Sequence, residues 1–280
     1  MKDIVIVAAG DHSLHPAYSD TSRFDVLTIY WGSDARIFEK YKACSTYAME
    51  RRGLKFELVR SLTLLPPQID FRKYRYVFLP DDDIAFPNAG EQIADMFHTA
   101  AGIDADIFQP AILNEHFSVA WEPTRRSDNG SLCRAVNIVE LMMPAYSGRV
   151  FAEFVMPTLI ALEFQRAGWG IEPFIAKFAE ASLGRPLRTF VLDAYPAIHT
   201  RPVGGGSTAH QIGFDEAFLM PIIYSNRMRE FEAFYDLESA RQYRFPLVRD
   251  STDMKAVEQS RAQIRSIRNL CAMSAQSRAG

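Results

Sequence analysis

Residues 74–83 read YRYVFLPDDD, and this stretch decides the predicted fold. Its first six residues are mostly aromatic and apolar, which predicts a buried strand over Tyr74–Leu79. Asp81, Asp82 and Asp83 follow this strand directly and form an acidic turn. Ligands of open α/β sheets bind beyond the carboxyl ends of the strands. The stretch therefore predicts both a strand of the sheet and a ligand site at its carboxyl end.

The chain on either side of this strand alternates predicted strands and helices. Asn88 followed by Glu91 has the form of a capping box, which predicts the start of a helix. In the first half, the other predicted elements are the strands Ile4–Ala8, Phe24–Trp31 and Lys55–Val59 and the helices from Ser33 to about Arg51 and from Asn88 to about Ala101. In the second half, they are the strands Ile107–Leu113, Phe117–Trp121, Val136–Met143 and Arg188–Asp193 and the helix Ser147–Ala167. This alternation favours an α/β fold with a mainly parallel sheet flanked by helices.

The end of the chain differs in character. Residues 1–205 are predicted to form one domain, and residues 206–280 a helical C-terminal extension that packs on it. The segment Pro202–Ser207 is the most linker-like part of the chain. Four apolar residues near the end can share one face of a helix: Val257, Ile264, Ile267 and Cys271. Such a helix would dock on the parent domain or on a second copy of the chain, so a homodimer is one expected assembly. A membrane-surface helix fits less well because this face lacks aromatic residues.

The composition limits the classes of protein to consider. The 280 residues are 48% hydrophobic and 23% charged, with a net charge of -3, which fits a globular protein and not a broad nucleic-acid binder. Three scattered cysteines are too few for a disulfide framework or a zinc finger. The first apolar run is short, and no stretch reaches the roughly 20 apolar residues of a membrane span. We therefore expect a soluble, cytoplasmic protein without a transmembrane segment.

The acidic turn contains the residue types of a divalent-cation site. Alternate side chains of an extended chain share a face, so Asp81 and Asp83 would point the same way. Neighbouring carboxylates repel each other unless a cation lies between them, and Mg²⁺ or Mn²⁺ is the natural partner. The alternative is a solvated acidic turn. Asp104 and Asp106 have the same spacing but precede a predicted strand, at the wrong edge of the sheet for a ligand, and are predicted to form a turn.

The order of three motifs resembles that of the GT-A class of nucleotide-sugar glycosyltransferases. The motifs are the D-x-D at Asp81–Asp83, the turn GWGIE at Gly168–Glu172 and the late His199. More closely, the chain resembles an uncharacterised plant and bacterial family with GT-A-like features. The matching segments, within roughly residues 1–203, are Val7–Gly10, Tyr30–Gly32, Tyr76–Ile84, Gln109–Ala111, Val139–Ser147 and Gly168–Glu172. The resemblance implies a GT-A-like fold with a mixed, mainly parallel sheet.

The resemblance also implies roles for particular residues. In GT-A enzymes the D-x-D carboxylates hold Mn²⁺ or Mg²⁺ on the donor diphosphate, which implies this role for Asp81 and Asp83, with His199 as a third ligand. Glu172 matches the carboxylate base of inverting members by its offset from the glycines. The chain departs from the family because Pro173 follows Glu172 in place of a second acidic residue. The alternatives are a structural histidine at a strand end and a glutamate that only caps the following helix.

Further residues are expected to contact the nucleotide, the sugar or the acceptor. The expected nucleotide-binding residues are Gly10, Asp11, Ser13 and Asp82, and the expected substrate-binding residues are Trp121, Glu140, Trp169 and Arg201. The indole of Trp121 or Trp169 can instead pack in the core. A buried Glu140 can instead pair with Arg125, Arg126 or Arg134.

These expectations together describe a metal-dependent glycosyltransferase. It would move a sugar from a nucleoside-diphosphate sugar to a hydroxyl acceptor with inversion. A nucleotidyltransferase or phosphohydrolase would use the same carboxylates, although the sequence contains no GxxxxGK[ST] phosphate loop. A non-catalytic module would bind a sugar or nucleotide without turnover, which the Glu172-Pro173 departure would allow.

Overall fold

The computed structural model describes residues 1–63, 69–113, 122–127, 130–137, 139–162, 166–201 and 212. These residues belong to one compact unit, Met1–Met220. The predicted boundary after residue 205 and the predicted strand Phe117–Trp121 lie outside the described residues, as does the predicted extension over residues 206–280 apart from residue 212. Within the described part of the chain, no helix has both the length and the apolar character that crossing a bilayer requires.

Strands and helices alternate along the described ranges, as predicted. The strands are β1 (Lys2–Ala9), β2 (Asp25–Tyr30), β3 (Tyr47–Glu50), β4 (Tyr74–Phe78), β5 (Ile84–Ala85), β6 (Ile107–Ile112), β7 (Arg134–Ala135), β8 (Ala145–Ser147) and β9 (Thr189–His199). The helices are α1 (Ala35–Ala43), α2 (Lys55–Ser61), α3 (Ala89–Gly102), α4 (Gly148–Val150), α5 (Met156–Ala161) and α6 (Ile171–Leu183), with a π-helical turn, Phe151–Val155, between α4 and α5.

The strands form a mixed sheet in the order β3-β2-β1-β4-β8-β6-β9-β5, with β7 paired to β9. Strand β1 is parallel to β2 and β4, β2 to β3, and β6 to β9. Strand β8 runs antiparallel between β4 and β6, and β5 pairs antiparallel with β9. The predicted mixed, mainly parallel sheet is confirmed. Because β1, β4, β6 and β9 share one direction, the loops after them lie at one edge of the sheet.

The core lies between the sheet and α3. This helix buries Ile93, Met96 and Phe97, which follow helical spacing. The Phe97 ring contacts the rings of Phe78 on β4 and Phe108 on β6, with centroids 6.3 Å apart in both pairs. Burying one such aromatic side chain stabilises a fold by about 1.5–3 kcal/mol. This packing fixes β4, whose carboxyl end carries the acidic turn.

Two predictions for the first half of the chain are wrong. The segment Lys55–Val59 forms helix α2 and not a strand, because the N–H groups of Phe56 and Glu57 donate to the carbonyl of Arg166, at 3.1 and 3.2 Å. The helix predicted to reach Arg51 ends at Ala43. The residues after it form β3, which gains a parallel ladder with β2.

Other boundaries in the predictions also change. The segment Val136–Met143 is a loop in its described residues, and the strand β8 begins only at Ala145. The helical segment predicted over Ser147–Ala167 ends at Ala161. Helix α3 begins as predicted, but the Asn88 side chain makes no capping bond. Instead, the Asn88 N–H donates to Gln92 Oε1 at 3.2 Å. The last strand extends beyond its predicted end to His199.

Candidate active site

The acidic turn lies at the carboxyl edge of the sheet, as predicted. Asp82 joins this turn to the loop after β1, because its Oδ2 accepts a hydrogen bond of 2.7 Å from Gly10 N–H. Its carbonyl oxygen accepts a second bond, also of 2.7 Å, from Leu14 N–H. Burial raises the pKa of Asp82 to about 6. The predicted nucleotide-binding residues Gly10 and Asp82 are therefore in contact with each other.

Asp83 and His199 come together through the pairing of β5 with β9. Ile84 lies opposite His199 in this ladder, so Asp83, the residue before Ile84, is brought beside the imidazole. Asp83 Oδ2 lies 3.4 Å from His199 Nε2. Two hydrogen bonds from Thr200, its N–H at 3.1 Å and its hydroxyl at 2.7 Å, reach the Asp83 carbonyl and fix the turn. The sequence predicted both residues for one site, and the fold places them together.

Both side chains leave a buried polar atom without a partner. Asp83 and His199 are 9% and 6% exposed, and among the described residues nothing bonds to Asp83 Oδ1 or His199 Nδ1. Buried polar atoms are normally satisfied, and a carboxylate with an imidazole suits Mn²⁺. Burial lowers the pKa of His199, but the Asp83 and Asp81 carboxylates outweigh it and the net shift is upward. These two side chains fit a divalent cation, although no group of three such side chains within the described ranges is close enough to hold a metal ion.

Asp81 is held by a lysine that the sequence did not reveal. Lys55 Nζ at the start of α2 donates to Asp81 Oδ1 at 2.7 Å. It also donates to the carbonyls of Leu141 and Met142, at 2.6 and 3.1 Å. Burial raises the pKa of Asp81, and the Lys55 charge opposes this rise. Lys55 was predicted to lie on a strand, and these partners are 26 to 87 residues away in sequence, so no local signal could identify it.

Tyr18 is a second residue that the sequence did not reveal. Its side chain is 2% exposed, and its hydroxyl has no hydrogen-bond partner among the residues described. Burial raises the pKa of this phenol, and the charges of Asp82, Asp81 and Asp83 raise it further. The hydroxyl therefore lies near the acidic turn.

The side chains of the loop after β1 are bound within the protein. Asp11 Oδ1 accepts hydrogen bonds from the Tyr30 hydroxyl and from Ser33 N–H. The Ser13 hydroxyl pairs with His15 Nδ1 at 2.7 Å. Arg201 reaches the same loop, since its guanidinium donates to the carbonyl of His12 at 3.4 Å. The predicted residues Asp11, Ser13 and Arg201 thus shape one loop beside the acidic turn.

His15 anchors this loop in the core. It is fully buried, and its Nε2 lies 3.1 Å from the Thr28 hydroxyl on β2. Tyr41 supports the same loop, because its hydroxyl donates to the Gly10 carbonyl at 3.0 Å. Burial lowers the pKa of His15 to about 4, so the ring is neutral at pH 7.

The glycine turn packs against α2, next to Lys55. A Cβ added at Gly168 would lie 2.3 Å from a ring carbon of Phe56, and its φ of +89° is also one that side chains rarely adopt. Trp169, a predicted sugar-stacking residue, is half-buried in this turn. The turn thus meets the helix that positions the lysine on Asp81.

Glu172 lies at the start of α6, where its Oε2 accepts a hydrogen bond of 3.1 Å from Gly170 N–H. It lines a small cavity with Ile107, Tyr146 and Thr189. Ile107 and Thr189 are the first residues of β6 and β9, so this cavity lies toward the amino ends of those strands. Burial raises the pKa of Glu172 to about 8, with a smaller contribution from the Glu140 carboxylate.

The charge of Glu140 affects residues in two regions, the Glu172 cavity and the Asp83–His199 pair. It is 7% exposed, and its Oε1 accepts a bond of 2.9 Å from the Thr124 hydroxyl. Its charge raises the pKa of both Glu172 and His199, as the smallest of the contributions to each. Of the three arginines considered as its partner, Arg134 pairs with Asp193 at 2.7 Å; pairing with Arg125 or Arg126 stays an alternative.

The remaining predicted positions are placed as follows. Trp121 lies outside the described residues. The second D-x-D forms a turn before β6, as predicted. There Asp106 pairs with Arg185 at 2.6 Å and Asp104 with Arg188 at 2.5 Å. Its carboxylates therefore serve as structural ion-pair partners.

The fold is that of the GT-A-like glycosyltransferases. The mannosyltransferase PcManGT from Pyrobaculum calidifontis, in complex with GDP-Man and Mn²⁺, superposes with a TM-score of 0.50 at 13% identity, over 81% of this chain and 64% of that one. TarS 1-349 from S. aureus, in complex with UDP, gives a TM-score of 0.50 at 12% identity, over 80% and 65%. The chain thus spans less than two thirds of these structures. No family model matches the chain, and no curated protein matches its sequence.

Proposed function

We propose that this chain is a glycosyltransferase that moves a sugar from a nucleoside-diphosphate sugar to a hydroxyl acceptor. Substitutions of Asp83 and His199 test this proposal most directly. The observation that carries the proposal is this pair, buried at the carboxyl edge of a GT-A-like sheet with one polar atom of each unpartnered within the described residues. The structural neighbours were solved with GDP-Man and Mn²⁺ and with UDP. Residues 1–205 would form the catalytic domain and residues 206–280 an extension on it.

Asp83 and His199 would hold Mn²⁺ or Mg²⁺. Asp81 is the third donor that the sequence predicted, and in this structure Lys55 occupies its Oδ1. A divalent cation supplies charge neutralisation for the departing nucleoside diphosphate. The protein itself buries the two donors and holds them side by side. The hydrogen bonds from Thr200 and the pairing of β5 with β9 fix their positions.

The loop after β1 would bind the nucleotide. Its backbone is held by Asp82 at Gly10, while Asp11 and Ser13 set its shape through their own hydrogen bonds. Arg201 adds a positive charge beside this loop, where a diphosphate would need one. Trp169 and Glu140, with Trp121, are the proposed contacts to the sugar and the acceptor.

Glu172 would act as the base of an inverting displacement. Its carboxylate would take the proton of the acceptor hydroxyl while the oxygen forms a bond to the anomeric carbon. The bond from that carbon to the diphosphate oxygen breaks, and the nucleoside diphosphate leaves with the electron pair. A carboxyl with a pKa of about 8 is mostly protonated at pH 7, so it would act as a base increasingly as the pH approaches 8.

Product analysis tests the proposal. The protein is incubated with UDP- and GDP-sugars and Mn²⁺, and released nucleotides are separated by chromatography. We expect the wild type to release nucleoside diphosphate. Asp83→Asn should lose this release, and Asp104→Asn should keep it. Release of nucleoside monophosphate or pyrophosphate would instead indicate a phosphohydrolase or a nucleotidyltransferase.

One observation favours a second candidate, a binding module without turnover. The Glu172 cavity is lined by the amino-end residues Ile107 and Thr189, whereas Asp83 and His199 lie at the carboxyl edge. A binding module would show nucleotide-sugar affinity with no nucleoside diphosphate released. Slow donor hydrolysis that depends on Glu172 would exclude it. The homodimer and the cytoplasmic location stay predictions.

A further inference from the structure

Lys55 is a buried cation next to the proposed metal site. Its side chain is 13% exposed, whereas that of its partner Asp81 is 37% exposed. The ammonium is satisfied by three oxygens, those of Asp81, Leu141 and Met142, within 2.6 to 3.1 Å. A charge this little exposed needs partners of this kind. The contact is therefore a built feature of the site.

The position of Lys55 affects all three carboxylates of the acidic turn. Its charge interacts with Asp81 first and also with Asp83 and Asp82. A positive charge this close to Asp83 opposes the approach of a divalent cation. It also donates to Asp81 Oδ1 at 2.7 Å, so this oxygen shares its lone pairs with the lysine and is a weaker metal ligand while the lysine stays in place.

We infer that Lys55 is a positioning residue that holds Asp81 away from the cation and thereby weakens the affinity of the Asp83–His199 site for divalent metals. The inference rests on the proposed function, because it assumes that Asp83 and His199 hold the cation. Weak binding of the free metal suits a site in which the metal arrives with a diphosphate that supplies further oxygen ligands. Two of the three bonds tie α2 to the loop of Leu141 and Met142, which also carries Glu140.

The experiment measures binding of Mn²⁺ alone, by the loss of the free-ion signal in electron paramagnetic resonance. Lys55→Met keeps the length of the side chain and removes its charge. We expect this variant to bind Mn²⁺ at least tenfold more tightly than the wild type, because Asp81 becomes available. In the double variant Lys55→Met/Asp81→Asn the gain should be lost. This non-additivity isolates the coupling between the two residues.

Three further single variants test the inference if Lys55→Met does not fold. Asp81→Asn, which preserves shape, should change the Mn²⁺ affinity less than threefold, whereas Asp83→Asn should weaken it at least tenfold. Lys55→Arg should bind Mn²⁺ as the wild type does. The matched control is Lys2→Met, which removes a lysine–aspartate pair of 2.8 Å at the amino end of β1.

The possible outcomes separate this inference from the proposed function. Unchanged or weaker Mn²⁺ binding in folded Lys55→Met overturns the inference, as does a loss in Asp81→Asn equal to that in Asp83→Asn. Wild-type affinity in Asp83→Asn instead overturns the proposed cation site. Tighter Mn²⁺ binding in Lys55→Met, with wild-type Mn²⁺ affinity in the Lys2→Met control, supports the inference.

Discussion

Asp83 Oδ2 lies 3.4 Å from His199 Nε2, and a two-residue strand creates this contact. Strand β5 follows the acidic turn immediately and pairs with the last residues of β9, which places Ile84 opposite His199. The loop after β4 and the end of β9 thereby become one site. A carboxylate and an imidazole are thereby held side by side, in the arrangement that the proposed cation site requires.

The glycine turn yields a first prediction. Gly168→Ala should destabilise the protein more than Gly184→Ala. Both glycines have positive φ, +89° and +66°, but a Cβ at Gly168 meets Phe56 at 2.3 Å whereas one at Gly184 meets no described atom within 4 Å. We expect about 1–2 kcal/mol for the backbone strain at Gly184 and about 1–3 kcal/mol more for the clash at Gly168. Urea unfolding measures both, and equal losses would contradict the packing of this turn on α2.

The pKa of Glu172 yields a second prediction, on the pH dependence of stability. Folding raises this pKa from 4.5 to about 8, so between these values the folded state keeps a proton that the unfolded state has lost. The free energy of unfolding therefore falls as the pH rises from about 4.5 to 8. Relative to Glu172→Gln, the wild type should lose up to about 5 kcal/mol over this range. Parallel stability curves would show that the carboxyl is not buried as described.

The same carboxyl makes a prediction about activity. If Glu172 is the base, turnover of the donor should increase with pH toward about 8, as the carboxylate forms. Glu172→Gln should lose this turnover while its affinity for nucleoside diphosphate stays unchanged. Steady-state rates from pH 6 to 9 test this. Activity that persists in Glu172→Gln would assign the base elsewhere, with Glu140 as the next carboxylate to test.

His15 yields a prediction of the opposite sign. Burial lowers its pKa from 6.5 to about 4, so between these values the unfolded state binds a proton that the folded state does not. The free energy of unfolding should fall as the pH drops from about 6.5 to 4. Over this range the wild type should lose about 3 kcal/mol more than His15→Gln. Denaturant titrations at pH 4 to 7 measure it, and identical slopes would contradict a neutral buried ring.

Several features could be predicted from the sequence because they are local. The apolar run before Asp81 identifies β4 and places the acidic turn at its carboxyl end. The same reasoning distinguishes the D-x-D at Asp104, which precedes β6 and pairs with Arg188. The late position of His199 placed it at a strand end, and the ladder of β9 with β5 confirms this location.

Other features depend on tertiary contacts that no local pattern contains. Residues Lys55–Val59 read KFELV, which fits a short strand as well as one turn of helix. The helix is favoured because its first N–H groups donate to the Arg166 carbonyl and because it buries Phe56. The pairing of Lys55 with Asp81 follows only once that helix is in place, so the residue could not be found by spacing. The sequence of Val136–Met143 likewise resembles a strand. In the structure, however, the Met142 carbonyl accepts hydrogen bonds from Asp81 N–H, at 2.7 Å, and from Lys55.

The central claim is that the acidic turn and His199 bind a nucleoside diphosphate together with a divalent cation. The most direct measurement is thermal unfolding of the wild type and Asp83→Asn with UDP, GDP and other nucleoside diphosphates, each with and without Mn²⁺. At 100 times its dissociation constant a ligand adds about 2.7 kcal/mol of stability, which is visible as a shift of the midpoint. We predict a shift for the wild type with one diphosphate that requires Mn²⁺ and disappears in Asp83→Asn. A shift that is equal in both proteins, or no shift in folded wild type with any diphosphate, would contradict the claim.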